Sequence, residues 1–486
     1  MEAPVINRPP RTSRKRLTIL LALIVTATGL WHVFKPLPEG ISYRGSPQPL
    51  LAPELLIDRT WVDKVGNQQF DQQIFDEALR LIGQARKLVV VDMFLFNESG
   101  PPGVEMRPLA RQLTEALVAR QQAVDDITIV MITDPFNTLY GGTRSPWLEQ
   151  LRAAGIVVVE TRLSPLRDSN PLWSAPWRLC CQWLGNSADH GWLPNPVGTD
   201  KVPLRSYLAL LNFKANHRKV LVVDEGDGLR GLVTSANPHD GSSRHSNIAL
   251  SFGGPAALDL LRTEQAVLAL SGVEIAMPTF AAQIAAQQSQ HLGQILTEGK
   301  ILDAALAMID GAAKGSQLDL AMFYLSHREL VEAMIDAHQR GAELRILLDA
   351  NKDAFGREKN GIPNRQVAME LHRAGIPLRW CNTHGEQCHT KLLVRRDPDR
   401  SWQLLLGSAN FTRRNLNDLN LETNIRVWAD NPTPLLAELM ANFDLYWHSG
   451  PDRNPVLSLP YEAFQDESTL KYWQYRVMEG LGLSTF

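Results

Sequence analysis

Cysteine is scarce in this chain, with four in 486 residues. That is too few to staple a protein of this size, so a disulfide scaffold is excluded. Cys180 and Cys181 are adjacent and Cys381 and Cys388 are seven apart, so neither pair has a zinc spacing. Four free or partly buried thiols are expected, with a Cys381–Cys388 bridge open in an oxidising compartment. His-Glu-x-x-His runs and carboxylate clusters at metal-ligand spacing are also missing, so neither metal nor cofactor is expected. A strong excess of one charge is absent too: Lys and Arg number 49 against 52 Asp and Glu, a net of −3. The first sixteen residues carry five cations, Arg8, Arg11, Arg14, Lys15 and Arg16, against Glu2, so the remainder is more acidic still. Such a body is a poor non-specific nucleic-acid binder, because phosphate neutralisation needs clustered cations. With 44% apolar and 21% charged residues, the composition excludes a collagen, a disordered tail or a polytopic transporter.

What is there begins at the amino terminus. Leu17 to Phe34 runs eighteen residues without a charge, follows the basic tail, and ends at Lys35, Pro36 and Pro38. That length spans a hydrocarbon core as one helix. Cations on one flank keep that flank cytoplasmic and send the rest across, and Trp31 stands where an interfacial aromatic belongs. A cleaved signal peptide is the rival, with a weak small-x-small site near Val25–Ala27 or Ala27–Gly29. Either reading places the body outside the cytoplasm, on the periplasmic face of the inner membrane in a Gram-negative cell.

Beyond a Pro-rich stretch (Lys35 to Pro53), helical and strand periodicities alternate: Phe75–Ala85, Leu88–Val91, Leu109–Ala119, Ile127–Ile132, Leu148–Ala154 and Ile156–Val159. Parallel βαβ units are expected. The pattern recurs as Ile301–Ala313, Leu318–Leu325, Glu329–His338 and Leu344–Leu348. Specific strings match, since Arg152–Ile156 answers His372–Ile376. Helices starting near Pro255 and Pro434 run into Ser271-Gly272 and Ser449-Gly450. Self-similarity on this scale marks a duplicated domain rather than a solenoid.

Both halves carry one reactive pattern. The first has His217-Arg218-Lys219, the apolar run Val220–Val223, Asp224, and Thr234-Ser235-Ala236-Asn237. The second has His389-Thr390-Lys391, Leu392–Val394, and Gly407-Ser408-Ala409-Asn410. On a strand, residues i and i+2 share a face, so each His projects with its Lys. Two such strands around a pseudo-twofold gather two imidazoles and two ammoniums at one point. That suits a phosphodiester: Lys and Asn hold the oxygens, one His attacks phosphorus and the other protonates the leaving alkoxide.

With these motifs the chain resembles the phospholipase D superfamily from about Gln73 to Gly450, and Asn216–Lys219 is similar to the first motif of bacterial cardiolipin synthases. The resemblance implies two tandem α/β/α sandwich domains after one transmembrane helix, and a phosphohistidine resolved by water or an alcohol. It implies His217 as nucleophile and His389 as acid and then base. Lys219, Lys391, Asn237 and Asn410 would bind phosphate. Asp224 and Asp397 complete the motif set, although Arg396 occupies the regular spacing and Asp397 follows one residue later. Ser235, Ser408 and Glu422 join the substrate-binding set, Glu422 resembling the acidic residue that orients a catalytic His. His245 is taken as the counterpart of Glu422. Expected boundaries are a basic tail 1–16, an anchor 17–34, a linker 35–57, a first domain 58–275, a linker 276–299, a second domain 300–452 and a tail 453–486.

The halves differ in length: 62 residues separate Gly155 from His217, against 14 from Gly375 to His389. The insert, about 163–212, holds Trp173, Trp177, Trp183 and Trp192, and reads either as a segment dipping into a lipid interface or as a packed lid. The expected function is metal-independent phosphodiesterase or phosphatidyltransferase chemistry on membrane phospholipids, with the membrane surface as partner and nucleic acid not. The competing readings are an extracytoplasmic nuclease and an inactive lipid-binding scaffold.

Overall fold

The computed structural model describes residues 11–101, 103–196, 198–280, 289–354, 357–450 and 453–484. Arg8 and the remainder of 1–10 in the basic tail, 281–288 of the expected linker, 451–452 and 485–486 lie outside the described residues.

Helix α1 (Arg11–Phe34) contains a window, Arg14–Phe34, long and apolar enough to cross a membrane and unburied by the rest of the chain. The body then runs β1 (Gln48–Pro49), β2 (Leu51–Val62), β3 (Gln68–Asp71), α2 (Ile74–Gln84), β4 (Leu88–Met93), α3 (Leu109–Ala123), β5 (Thr128–Thr133), α4 (Pro146–Ala153) and β6 (Val157–Glu160). The insert holds α5 (Pro171–Cys180), the short pair β7 (Leu193–Pro194) and β8 (Lys201–Val202), and α6 (Leu204–Leu210). The half closes with β9 (Lys219–Glu225), β10 (Gly228–Thr234), β11 (Asn247–Gly253) and α7 (Pro255–Leu270). The second half comprises β12 (Leu292–Thr297), α8 (Gly299–Asp310), β13 (Gln317–Met322), α9 (Arg328–Gln339), β14 (Glu343–Leu348), the small pair β15 (Asp353–Ala354) and β16 (Arg357–Glu358), α10 (Asn364–Arg373) and β17 (Leu378–Cys381). It ends with β18 (Lys391–Arg396), β19 (Trp402–Gly407), α11 (Arg413–Leu416), β20 (Thr423–Ala429), α12 (Pro434–Trp447), β21 (Ser458–Pro460) and α13 (Thr469–Leu481).

Two mixed sheets result. The first has the order β3-β2-β11-β10-β9-β4-β5-β6 and the second β1-β12-β20-β19-β18-β13-β14-β17-β21. Strand for strand, β2, β11, β10, β9, β4, β5 and β6 answer β12, β20, β19, β18, β13, β14 and β17. The parallel βαβ expectation holds for β4-β5-β6 and β13-β14-β17 alone. The motif strands β9 and β18 enter antiparallel. The turn after Glu225, with Gly226 at φ 60°, then folds β9 straight back into β10, too short a connection for a parallel crossover, so that pair is antiparallel as well.

Strands β4 and β9 are buried on both faces, which is why Val89–Val91 and Val220–Val223 read as unbroken apolar runs. The faces of the two sheets share a core with α7 and α12, where Val222, Phe252, Leu404 and Leu406 pack with Leu260 and Leu439. Residues 35–57 are also structured. Ser42 N donates to Glu298 Oε2 at 2.7 Å, Gly45 N to Ile295 O at 2.8 Å, and β1 pairs with β12. This stretch therefore laces the first half to the second sheet.

One expectation is corrected here. The cysteines are not free: Cys180 is bonded to Cys181, and Cys381 to Cys388. The second bridge forms because Cys381 ends β17 where the loop returns towards β18, bringing the two Cα atoms to 6.2 Å. The insert tryptophans divide between the two readings offered for them. Trp173 donates Nε1 to Leu208 O and its ring lies 6.2 Å from that of Trp177, which is buried. Trp183 and Trp192 are 64% and 63% exposed.

Candidate active site

The motif strands meet tip to tip through reciprocal backbone bonds. His217 N donates to Leu421 O at 2.9 Å and Leu421 N to Ala215 O at 3.0 Å. Likewise His389 N donates to Ser246 O at 2.8 Å and Ser246 N to Gln387 O at 3.0 Å. Each histidine is thus fixed by the opposite half. Buried carboxylates at the ends of β5 and β14 hold the preceding residues: Asp134 Oδ2 accepts from Asn216 N at 2.6 Å, and Asp349 Oδ2 from Cys388 N at 2.8 Å.

His217 and His389 line one cleft of about 250 Å³, with Asn237 and Asn410 also in its wall. His217 Nδ1 lies 2.9 Å from a carboxylate oxygen of the buried Glu422. His389 Nδ1 faces Asn247 Oδ1 at 3.1 Å. Both pairings place the ring N–H on Nδ1 and leave each Nε2 with its lone pair on the cleft side. Lys219 Nζ donates to His217 O at 2.7 Å and Lys391 Nζ to His389 O at 2.9 Å. Leu95 N donates to Asn237 Oδ1 at 3.3 Å, which turns that amide so its NH₂ is the free end.

The site is buried, and burial works against the charged form of each of its bases. Burial, opposed by Glu422, holds the His217 imidazole down to about 4. Burial, then Lys391 and His245, hold His389 well below its ordinary value. Burial brings Lys219 down to about 7 against the pull of Glu422, Asp92 and Asp134, and Lys391 well below its usual value. Burial alone drives Glu422 towards protonation, but His217 and Lys219 outweigh it and keep the carboxyl below the usual range. A phosphodiester anion entering the cleft would favour the charged forms of both lysines and of the His389 ring, while His217, held down by burial, keeps its Nε2 lone pair.

Not every expected residue reaches the cleft. Asp224 lies at the far end of β9, where its carboxylate accepts from the backbone N–H groups of Arg86, Lys87 and Leu88. Asp397 lies beyond β18, bonded to Ser316 Oγ at 2.6 Å and Arg395 Nε at 2.9 Å. A strand of six or seven residues separates each from its histidine, so placing them in the catalytic set is corrected. Ser408, Ser235 and Glu422 stand behind the cleft rather than in it. Ser408 Oγ donates to Glu422 Oε2, and Ser235 Oγ to Asn247 Oδ1 at 3.1 Å. These matched bonds identify Asn247, not His245, as the counterpart of Glu422.

The cleft residues that the sequence reading missed include two phenylalanines and two cations. Phe94 lies 4.8 Å from the His217 ring and Phe323 4.9 Å from that of His389, each also facing its lysine. Met93-Phe94 and Met322-Phe323 end equivalent strands, so the repeat itself carried this signal. Lys359 and Arg414 add cations to the wall, and they have no counterpart motif. Among the described residues no group of three or more His, Cys, Asp or Glu could hold a metal ion.

Residues 306–447 match the family model "Cardiolipin synthase, PLD-like domain". The fold is similar to that of a phosphatidylserine synthase from Haemophilus influenzae Rd KW20, at 11% identity and a TM-score of 0.56 over 94% of this chain and 98% of that one. A phospholipase D family member, Nuc from Salmonella typhimurium, matches 31% of this chain and 91% of its own at 21% identity and a TM-score of 0.25. No curated protein matches the chain.

Proposed function

We propose that the chain is a member of the phospholipase D superfamily, and that it is a membrane-anchored phosphodiesterase or phosphatidyltransferase acting on phospholipids. The observation that carries the reading is the pair of imidazoles on one cleft, each with Nδ1 tied behind it and a lysine beside it. Nε2 of His217 attacks phosphorus and the bond to the headgroup oxygen breaks. The alkoxide takes a proton from Nε2 of His389, which the bound anion has helped to charge. The His217 ring then bears positive charge, which Glu422 stabilises; Asn247, being neutral, leaves His389 free to give up and regain its proton. Water or a lipid hydroxyl next attacks phosphorus, passes its proton to His389, and the P–N bond breaks. Lys219, Lys391 and the Asn237 and Asn410 amides steady the non-bridging oxygens.

Lipid rather than nucleic acid is favoured by the acidic body, by α1 with basic residues on one flank, and by exposed Trp183 and Trp192. The positive-inside preference sets the body outside the cytoplasm. Incubating the full chain with phosphatidylglycerol vesicles and separating the lipids tests this. Cardiolipin marks transfer and phosphatidic acid marks hydrolysis. An unchanged lipid alongside cleavage of an oligonucleotide contradicts the proposal.

A further inference from the structure

A cavity about twice the volume of the cleft of the two histidines lies elsewhere among the described residues. It lies in the insert, encloses about 520 Å³, and is lined by residues of α5, α6 and the loops around them. That is within the range of ligand pockets, roughly 300–1,000 Å³.

Its chemistry is two-sided. Trp177, Trp183 and Leu184 supply an apolar wall, the last two exposed. Arg162, Arg178, Arg205 and Lys214 supply cations, and no carboxylate is among the described lining residues. Asp168 behind the wall serves both Arg178, at 2.7 Å, and Lys214, at 2.6 Å, so one anion answers two cations. Arg205 donates to the carbonyls of Cys181 and Gln182 and lies 4.7 Å over the Trp177 ring. The wall therefore holds uncompensated positive charge next to tryptophan and leucine.

Its position is equally specific. α1 ends against this segment: a Cβ on Gly29 would lie 3.6 Å from Ala175 Cβ, and Asp168 N donates to His32 O at 2.9 Å. Lys35 Nζ reaches Ser164 O, in the cavity wall, at 3.3 Å. The cavity thus adjoins the C-terminal end of α1, the end at which a membrane-spanning helix would leave the bilayer. On its inner side Lys214 lines the cavity while Ala215 lines the catalytic cleft, and Tyr140 of the cavity is within electrostatic reach of Arg414 of the cleft.

We propose that this cavity is a second lipid site, which takes the anionic headgroup of a glycerophospholipid drawn from the bilayer beside the anchor. Guanidinium groups hold the phosphate, and the Trp183–Leu184 edge covers the first carbons of the chains. The proposal rests on the phospholipid reading above, and adds a site that reading does not need.

The test uses full-length His217→Ala protein in neutral detergent, so bound lipid is not turned over, with lipid retention read by native mass spectrometry. Phosphatidylglycerol and phosphatidylcholine are supplied in equal amounts. Preferential retention of phosphatidylglycerol is expected beyond the one equivalent that the catalytic cleft itself can hold, and this second equivalent falls at least about tenfold in Arg162→Glu and in Ala209→Trp, which fills the cavity. Arg162 is exposed, so its variant keeps the fold and decides the matter should the second lose melting temperature. Equal retention of the two lipids, retention unchanged in Arg162→Glu, or displacement of lipid by a short oligonucleotide overturns the site. Turnover by the protein with His217 intact is measured separately. Selective retention without turnover sinks the functional reading and keeps the site, whereas turnover without variant-sensitive retention does the reverse.

Discussion

Replacing Glu422 with Gln removes one charge and little volume, and the consequence follows from geometry. The carboxylate lies 2.9 Å from His217 Nδ1, wholly buried. The ring bears a full positive charge only after Nε2 has bonded to phosphorus. At an effective dielectric of about 20, opposite unit charges at this distance attract by roughly 6 kcal/mol. The glutamine amide can still accept the Nδ1 hydrogen bond and relaxation recovers part of the rest, so the expected loss is about 3–4 kcal/mol, or ~10²–10³ in kcat. Steady-state turnover of phosphatidylglycerol in mixed micelles reads kcat, and circular dichroism melting checks the fold. A variant with an unchanged melting point and kcat within about threefold of the parent would refute the role given to this carboxylate. The matching change on the other ring, Asn247→Ala, is expected to cost less, because no charge is lost there.

Further outcomes follow from particular contacts. Asp397→Asn should leave kcat within about threefold and lower only the melting temperature, since its partners are Ser316 and Arg395, away from the cleft. The pH profile of kcat/KM should be a bell: activity falls as pH drops through about 4, where His217 gains a proton, and falls as pH rises through about 7, where Lys219 loses one. An alkaline limb that stays put when Lys219 is replaced by Arg would contradict the lysine assignment. Replacing both Cys381 and Cys388 by Ser should cost roughly 2–3 kcal/mol of stability by the loop-entropy relation, read by urea titration. Replacing exposed Trp183 and Trp192 by Ser should weaken vesicle sedimentation while leaving turnover of a soluble phosphodiester unchanged. Parallel loss of both activities would favour a purely structural role.

The sequence displayed the motif strands clearly because a strand buried on both faces is an unbroken apolar run, and because the pattern occurs twice. It displayed the apolar helix α1 through its length and hydropathy. Antiparallel entry of β9 and β18 was hidden, because periodicity reports burial and not strand direction. The pairing of His217 with Glu422 across 205 residues was only hinted at by analogy, and its counterpart was misassigned to His245 by simple counting. The loop from Asn237 to Asn247 is shorter than that from Asn410 to Glu422, so equal spacing fails and only the serine bonds reveal the match. Asp224 and Asp397 show the converse error, in which motif membership placed at the chemistry residues that cap backbone and brace arginine. The exposed and packed tryptophans could not be separated in sequence, since both sit among leucines. The insert cavity has no sequence signature, because its cations come from α5, α6 and two loops.

The most direct test of the central claim is to trap the covalent intermediate. A phosphatidyl ester of p-nitrophenol needs no acid to expel its leaving group, so His389→Ala should still form the phosphohistidine but resolve it slowly. After mixing full-length His389→Ala with this lipid and quenching in alkali, peptide mass spectrometry should find the phosphatidyl group on His217, stable to base and lost in acid. One equivalent of p-nitrophenol should be released in a burst. A burst-free release with no modified peptide, or the modification on any residue other than His217, would contradict the account.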